Sequence, residues 1–189
     1  MEIKEAFNDI AFKWDEICKH NDAKIRKIIE LSAVKEGARI LDVGTGTGIL
    51  ISYLLKTHPS NVTAIDISDN MISIANRKYH DSNVKFIAAD IMNFYEDGFD
   101  YVFLYSAYPH FQNKNDLFNH LYNLMNKDGK IIIAHSESKE KINEIHSKSE
   151  YFQNDILPSG NKTAVIMAKY FKINTIIDDE EMYFISGTK

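Results

Sequence analysis

The chain has 189 residues, 44% of them hydrophobic and 26% charged, with one cysteine and a formal net charge of −5; this length suits one globular domain that buries roughly 70% of the surface of its unfolded form. That composition excludes disordered, collagen-like and disulfide-scaffold proteins, and a pI near 5.8 argues against a general nucleic-acid or anionic-membrane surface, which needs clustered Lys and Arg. Cys18 cannot form an internal bridge, Met1–Glu5 lacks the apolar core of a signal peptide, and no apolar run approaches the roughly 18 residues that cross a bilayer, so a cytoplasmic location is expected.

Residues 4–32 carry Phe7, Ile10, Ala11, Trp14 and Ile17, then Ile25, Ile28, Ile29 and Leu31, at spacings of three and four that predict amphipathic helices. Asn21-Asp22 separates two of them, and the densest basic group, Lys24, Arg26 and Lys27, reads as a solvated helix face. From Ala38 onward strands and helices alternate: strand 38–43, helix 49–56, strand 62–66, helix 69–78, strand 84–89, strand 99–105, helix 114–126 and strand 130–135. Such alternation implies parallel strands joined by crossovers, hence a doubly wound α/β sheet. Asn126–Lys130 reads as a turn whose glycine ends a helix. A break at Asp155–Gly160 precedes a helix near 161–170, and the runs Tyr170–Ile177 and Met182–Ser186 are joined by so short an acidic link that an antiparallel hairpin is required.

The most informative stretch is Ile40-Leu41-Asp42-Val43-Gly44-Thr45-Gly46-Thr47-Gly48. An apolar strand ends beside an acid and enters a glycine turn, where missing side chains permit sharp bends and close approach of a ligand. The dinucleotide fingerprint Gly-x-Gly-x-x-Gly is not met, because position 49 is Ile. Two later strands also end in acids: Val62–Ile65 delivers Asp66, 20 residues after Gly46, and Val84–Ala89 delivers Asp90 followed by Ile91. A carboxylate at the second strand end can accept two ribose hydroxyls. Each acid taken alone also reads as a helix N-cap; three at this register behind a glycine loop form a pattern.

That pattern resembles the class I S-adenosylmethionine (SAM)-dependent methyltransferases over essentially the whole chain. The resemblance implies a Rossmann-like, doubly wound seven-stranded sheet, mostly parallel with a C-terminal antiparallel hairpin, under an N-terminal helical lid formed around Ala6–Asp15. It implies one domain over 1–189, with N-terminal helices at 1–36, the cofactor-binding half at 37–135 and the acceptor-side cover and closing hairpin at 136–189. It also implies SAM bound by Asp42, Gly44, Thr45, Gly46, Gly48, Asp66, Ile67, Asp90, Ile91 and Tyr105, with S-adenosylhomocysteine (SAH) as product. Trp14 reads equally as lid and as ordinary helix packing.

In open α/β sheets ligands bind beyond the carboxyl ends of the strands, so the acceptor side should follow strand four, at Ser106-Ala107-Tyr108-Pro109-His110-Phe111. Amino-methylating relatives often carry Asn/Asp-Pro-Pro-aromatic there; this chain lacks the amide or acid, which argues against a DNA base or glutamine amide as acceptor. His110, His135 from strand five and His146, on a lid or helix over 138–149 whose face Asn143 shares, are the candidate catalytic residues. Neutral imidazoles at three such points would also suit a transition metal such as zinc, and an ordinary pKa of about 6.5 lets any of them take an acceptor's proton. Tyr105 and Tyr108 are placed along the cleft, and His20, His58, His80 and His120 at the solvent surface.

The leading expectation is a methyltransferase of a small-molecule acceptor, such as a thiol or metal-bound acceptor, without nucleic-acid or membrane partners. A noncatalytic SAM- or metal-binding sensor and an NAD-dependent oxidoreductase stand as alternatives; Ile49 and the closing hairpin speak against the latter.

Overall fold

The computed structural model describes residues 3–189. Seven strands, β1 (Arg39–Val43), β2 (Asn61–Asp66), β3 (Val84–Ala88), β4 (Phe99–Tyr105), β5 (Met125–His135), β6 (Lys172–Asp178) and β7 (Tyr183–Thr188), form one sheet in the order β3-β2-β1-β4-β5-β7-β6. β1 to β5 pair in parallel, whereas β7 runs antiparallel to both β5 and β6. Strand order reverses between β1 and β4, so the crevice that binds ligands in such sheets opens at their carboxyl ends.

The helices are α1 (Ile3–Ile10), α2 (Trp14–Ile17), α3 (Asp22–Ser32), α4 (Ile51–Leu54), α5 (Asp69–Lys78), α6 (Lys114–Leu124), α7 (Lys139–Ser147) and α8 (Gly160–Met167). Successive strand residues face opposite sides, so each central strand feeds two cores. Leu41, Val43, Val102, Leu104, Ile131 and Ile133 pack with Leu117, Phe118 and Leu121 of α6 and Met167 of α8. Ile40, Phe103 and Ile132 pack on the other side with Ile25 and Ile28 of α3 and Ile51 and Leu54 of α4. Each such aliphatic side chain, fully buried, contributes about 1.5–3 kcal/mol, which makes the strand ends a rigid base for the loops above them.

Three expectations need correction. The helix expected over 49–56 shrinks to α4 plus one tight turn at Leu55–Thr57, because Gly44, Gly46 and Gly48 all hold positive φ and the chain is still turning at Leu50. The turn expected at Asn126–Lys130 is an irregularity inside β5: Met125 pairs with Phe99 before the ladder shifts and Lys130 pairs with Tyr101. There the left-handed residue is Asp128, at φ 63, while Gly129 is required for space, since a Cβ would lie 2.9 Å from the Asn126 carbonyl oxygen. At the N-terminus a break at Ala11–Lys13 divides the first helical stretch into α1 and α2, and Asn21 caps α3 by accepting the N–H groups of Ala23 and Lys24. Among the described residues no helix is long and apolar enough to cross a membrane.

Candidate cofactor and acceptor site

The glycine loop is braced from two sides. Asp42 is buried beneath it and accepts the Thr45 hydroxyl at 2.7 Å; burial, opposed by that hydrogen bond and assisted by Asp66, pushes its carboxyl up to about 7. Asp66 accepts the Gly46 N–H at 2.8 Å through Oδ2 and the Ser68 N–H at 2.9 Å through Oδ1. Burial nevertheless raises its pKa. Each of its oxygens keeps a second lone pair, so the carboxylate can shape the loop and still accept two hydroxyls. Asp90 ends its strand by accepting the Met92 N–H at 2.9 Å, an N-cap in the ordinary sense.

A cavity of about 250 Å³ lies above these strand ends, lined by Val43, Gly44, Gly46, Ile65, Asp66, Ile67, Met71, Asp90, Ile91, Met92, Ala107, His110 and Gln112, among others. The expected cofactor residues Gly44, Gly46, Asp66, Ile67, Asp90 and Ile91 therefore meet on one surface. Asp42, Thr45, Gly48 and Tyr105 are not on it. Asp42 and Thr45 hold each other under the loop, Gly48 gives room to Tyr79, whose Cε2 would lie 2.7 Å from a Cβ there, and Tyr105 donates to Ser136 Oγ at 2.9 Å.

The N-terminal helices cover the cavity, with Ile3, Phe7 and Trp14 in its lining. They are fastened to the sheet by polar contacts. Asn8 accepts the Ser68 hydroxyl at 2.7 Å and the Asn70 N–H at 3.2 Å, and Asp15 accepts the Thr47 hydroxyl at 2.6 Å while pairing with Lys78. Trp14 is thus a wall of the site, with its indole Nε1 3.6 Å from where a Cβ of Gly46 would stand.

Of the three candidate histidines, His110 lines the cavity and the other two do not. His110 Nδ1 lies 2.7 Å from Asp155 Oδ2, and its ring meets Phe7 edge-on with centroids 5.1 Å apart. His146 lies against it at 5.1 Å, with Nδ1 bound to the Asp155 backbone carbonyl. His135 is buried at 1% exposure; among the described residues neither ring nitrogen has a hydrogen-bond partner, and the Tyr183 ring lies beside it. Burial, then the neighbouring His110, His146 and His20, drives its pKa down to about 3, so it is neutral at any physiological pH. The metal expected at His110, His135 and His146 finds no support in this arrangement: among the described residues no group of three or more His, Cys, Asp or Glu is set to hold an ion. The Nδ1 atoms of His110 and His146 both turn to Asp155.

Other placements also differ from expectation. Tyr108 is fully buried and stacks on Phe118, so it does not line the cleft. His20 is partly buried with Nδ1 2.8 Å from the Tyr105 hydroxyl, and His120 Nε2 bonds the Phe94 carbonyl at 2.9 Å; His58 and His80 are exposed. The residue missed was Asp155. Nothing in a loop 45 residues beyond His110 marks it as a partner, and no sequence period links the two.

With a reversed-order sheet, a glycine turn and two acids around one cavity, the molecule has the architecture of a Rossmann-like methyltransferase. Residues 34–183 match a family described as a methyltransferase domain, and the chain belongs to the class I SAM-dependent methyltransferase family. It is 32% identical over 149 residues to malonyl-[acyl-carrier protein] O-methyltransferase 1 of Ilyobacter polytropus, covering 74% of this chain and 55% of that protein. It is 28% identical over 158 residues to phosphoethanolamine N-methyltransferase 2 of Caenorhabditis elegans, covering 77% and 36%. The chain thus spans about half the length, or less, of these curated relatives. Among solved structures, the N-methyltransferase NodS from Bradyrhizobium japonicum in complex with SAH superposes with a TM-score of 0.77 at 12% identity, over 98% of this chain and 97% of that one. A phosphoethanolamine N-methyltransferase 2 from Haemonchus contortus in complex with SAM gives 0.76 at 18% identity, over 97% and 60%. These two likenesses establish the shared fold.

Proposed function

We propose that this chain binds SAM and transfers its methyl group to a small acceptor. One observation carries the reading: Gly44, Gly46, Asp66 and Asp90 converge on a single cavity that continues to His110. The residues present fit the cofactor. Asp66 has lone pairs to spare for two ribose hydroxyls, Asp90 and the Ile91 backbone on the same cavity would serve an adenine edge, and Ile67, Met71 and Met92 would give it apolar walls. When bound, SAM supplies a methyl group on a sulfonium, a donor reactive enough that the protein has chiefly to align the acceptor and exclude water. The cover formed by Phe7 and Trp14 suits that exclusion. Two relatives are named for methylating a malonyl-carrier protein and phosphoethanolamine, which favours an acceptor outside the nucleic acids.

Calorimetric titration with SAH and, separately, with NADH tests this reading. Saturable SAH binding that is lost in Asp66→Ala, with no NADH binding, is the expected result; NADH binding in place of SAH would return the oxidoreductase alternative. The sensor alternative keeps the same cofactor site and predicts no turnover on any acceptor.

A further inference from the structure

Resting on the SAM reading, we infer that His110 and Asp155 form a proton-accepting pair at the acceptor end of the cavity, and that the acceptor is an uncharged molecule carrying its proton on the attacking atom, such as a neutral aromatic hydroxyl.

The pair is built rather than incidental. Asp155 is 7% exposed and its loop is clamped by α7: Asn143 Nδ2 donates to the Leu157 carbonyl at 3.0 Å while Asn143 Oδ1 accepts the Leu157 N–H at 2.7 Å. His146, one turn on, bonds the Asp155 carbonyl. Gln112 Nε2 donates to the second carboxylate oxygen at 3.3 Å, so the carboxylate is fixed on the His110 side. A carboxylate accepts only, so the 2.7 Å contact places the proton of a neutral His110 on Nδ1 and leaves the lone pair on Nε2. Burial is the largest influence on His110 and holds its pKa below the usual value despite Asp155. Burial acts to raise the pKa of Asp155, but hydrogen bonding, from His110 first and also from Gln112, helps to hold it below its usual value. The resting pair is therefore a neutral imidazole against a carboxylate, which stabilises the imidazolium formed when a proton arrives.

Charge then selects the acceptor. Among the described residues the cavity lining holds neither Lys nor Arg. Lys114, next in the chain after the acceptor loop, directs its ammonium to the carbonyls of Tyr108, Pro109 and Phe111. At the acceptor end a carboxylate or phosphate would lie against a neutral imidazole backed by the Asp155 carboxylate, with no lining Lys or Arg to pair it, at a cost in desolvation. The aromatic rings of Phe7 and Phe111 with Ala107 suit a flat apolar body. In the step itself the acceptor's heteroatom bonds to the methyl carbon as the carbon–sulfur bond breaks, SAH leaves with that electron pair, and the acceptor's proton passes to His110 Nε2 and from there to solvent. Asp155 acts here as a positioning residue.

The test uses histidine labelled with ¹⁵N and SAH-loaded protein, with phenol and benzoate as size-matched probes. Nitrogen spectra should show His110 protonated on Nδ1 and bare on Nε2 near neutral pH, and Asp155→Asn, which keeps the shape and removes the charge, should lower the pH at which His110 titrates. By calorimetry phenol should bind at least tenfold more tightly than benzoate, and the preference should shrink at least threefold in Asp155→Asn. A proton on Nε2, an unmoved titration in the variant, benzoate binding as tightly as phenol, or no saturable phenol binding overturns the inference while SAH binding stands. Failure to bind SAH at all brings down the methyltransferase reading with it.

Discussion

Asp66 reaches back 20 residues to accept the backbone N–H of Gly46 at 2.8 Å, so a carboxylate that lines the cavity also fixes the glycine loop beside it. Asp66→Ala is expected to lower SAH affinity at least tenfold and to leave the Gly46 and Ser68 N–H groups without acceptors, each costing about 1–3 kcal/mol. Calorimetry and urea unfolding measure the two effects; unchanged affinity would separate Asp66 from the cofactor.

Asp42 predicts a pH dependence. Its carboxyl is pushed up to about 7 in the fold, chiefly by burial, whereas in an unfolded chain it titrates near its ordinary value of about 3.9. A raised acid binds its proton more tightly in the native state, so its contribution favours folding at low pH and is lost as pH rises from about 4 to about 7. Asp42→Asn removes that titration. The stability difference between variant and wild type should move in the variant's favour by on the order of 3–4 kcal/mol between pH 4 and pH 8. Parallel stability curves for the two proteins across that range would show that Asp42 is not desolvated.

Gly44 sits at φ 71, and a Cβ there would stand 2.6 Å from the Ala107 Cβ. Gly44→Ala forces strain at a left-handed position and pushes the β1 loop away from the β4 loop. A loss of about 2 kcal/mol or more is expected, together with loss of SAH binding. Wild-type stability in this variant would mean that the loop relaxes without consequence.

Trp14 is the single tryptophan of the chain and lines the cavity, so SAH binding should change its fluorescence. Asp15, next to it, latches the cover through Thr47 and Lys78. Its side chain is half exposed, and such a pair is worth about 0.2–1 kcal/mol. Asp15→Ala should accordingly speed SAH dissociation about two- to fivefold in stopped-flow fluorescence, with little change in melting temperature. An emission insensitive to SAH would place the cofactor away from Trp14.

Much of the site was legible in the chain because its signals are local. The glycine loop, the acids at 66 and 90 and the hydrophobic runs before them lie within single strand–turn units, and the period-2 and period-3.6 patterns report burial directly. The same locality hides what holds Asp42, Gly48 and Tyr105, which lie at strand ends or in the loop but outside the cavity lining. Each side chain or backbone in fact turns to a neighbour: Thr45, Tyr79 and Ser136.

The amino-acid sequence by itself determined the sheet of alternating elements, the closing hairpin and the placing of a glycine turn between an acid-bearing strand and a helix, since these follow from hydrophobic period and backbone freedom within short windows. Only the tertiary structure decided which histidine faces the cavity and what holds it. His110, His135 and His146 come from a strand-four loop, a strand end and a helix, and Asp155 from a fourth segment. Their distances depend on the stacking of β4, β5 and α7 and on the Asn143 clamp, long-range contacts that no local pattern encodes.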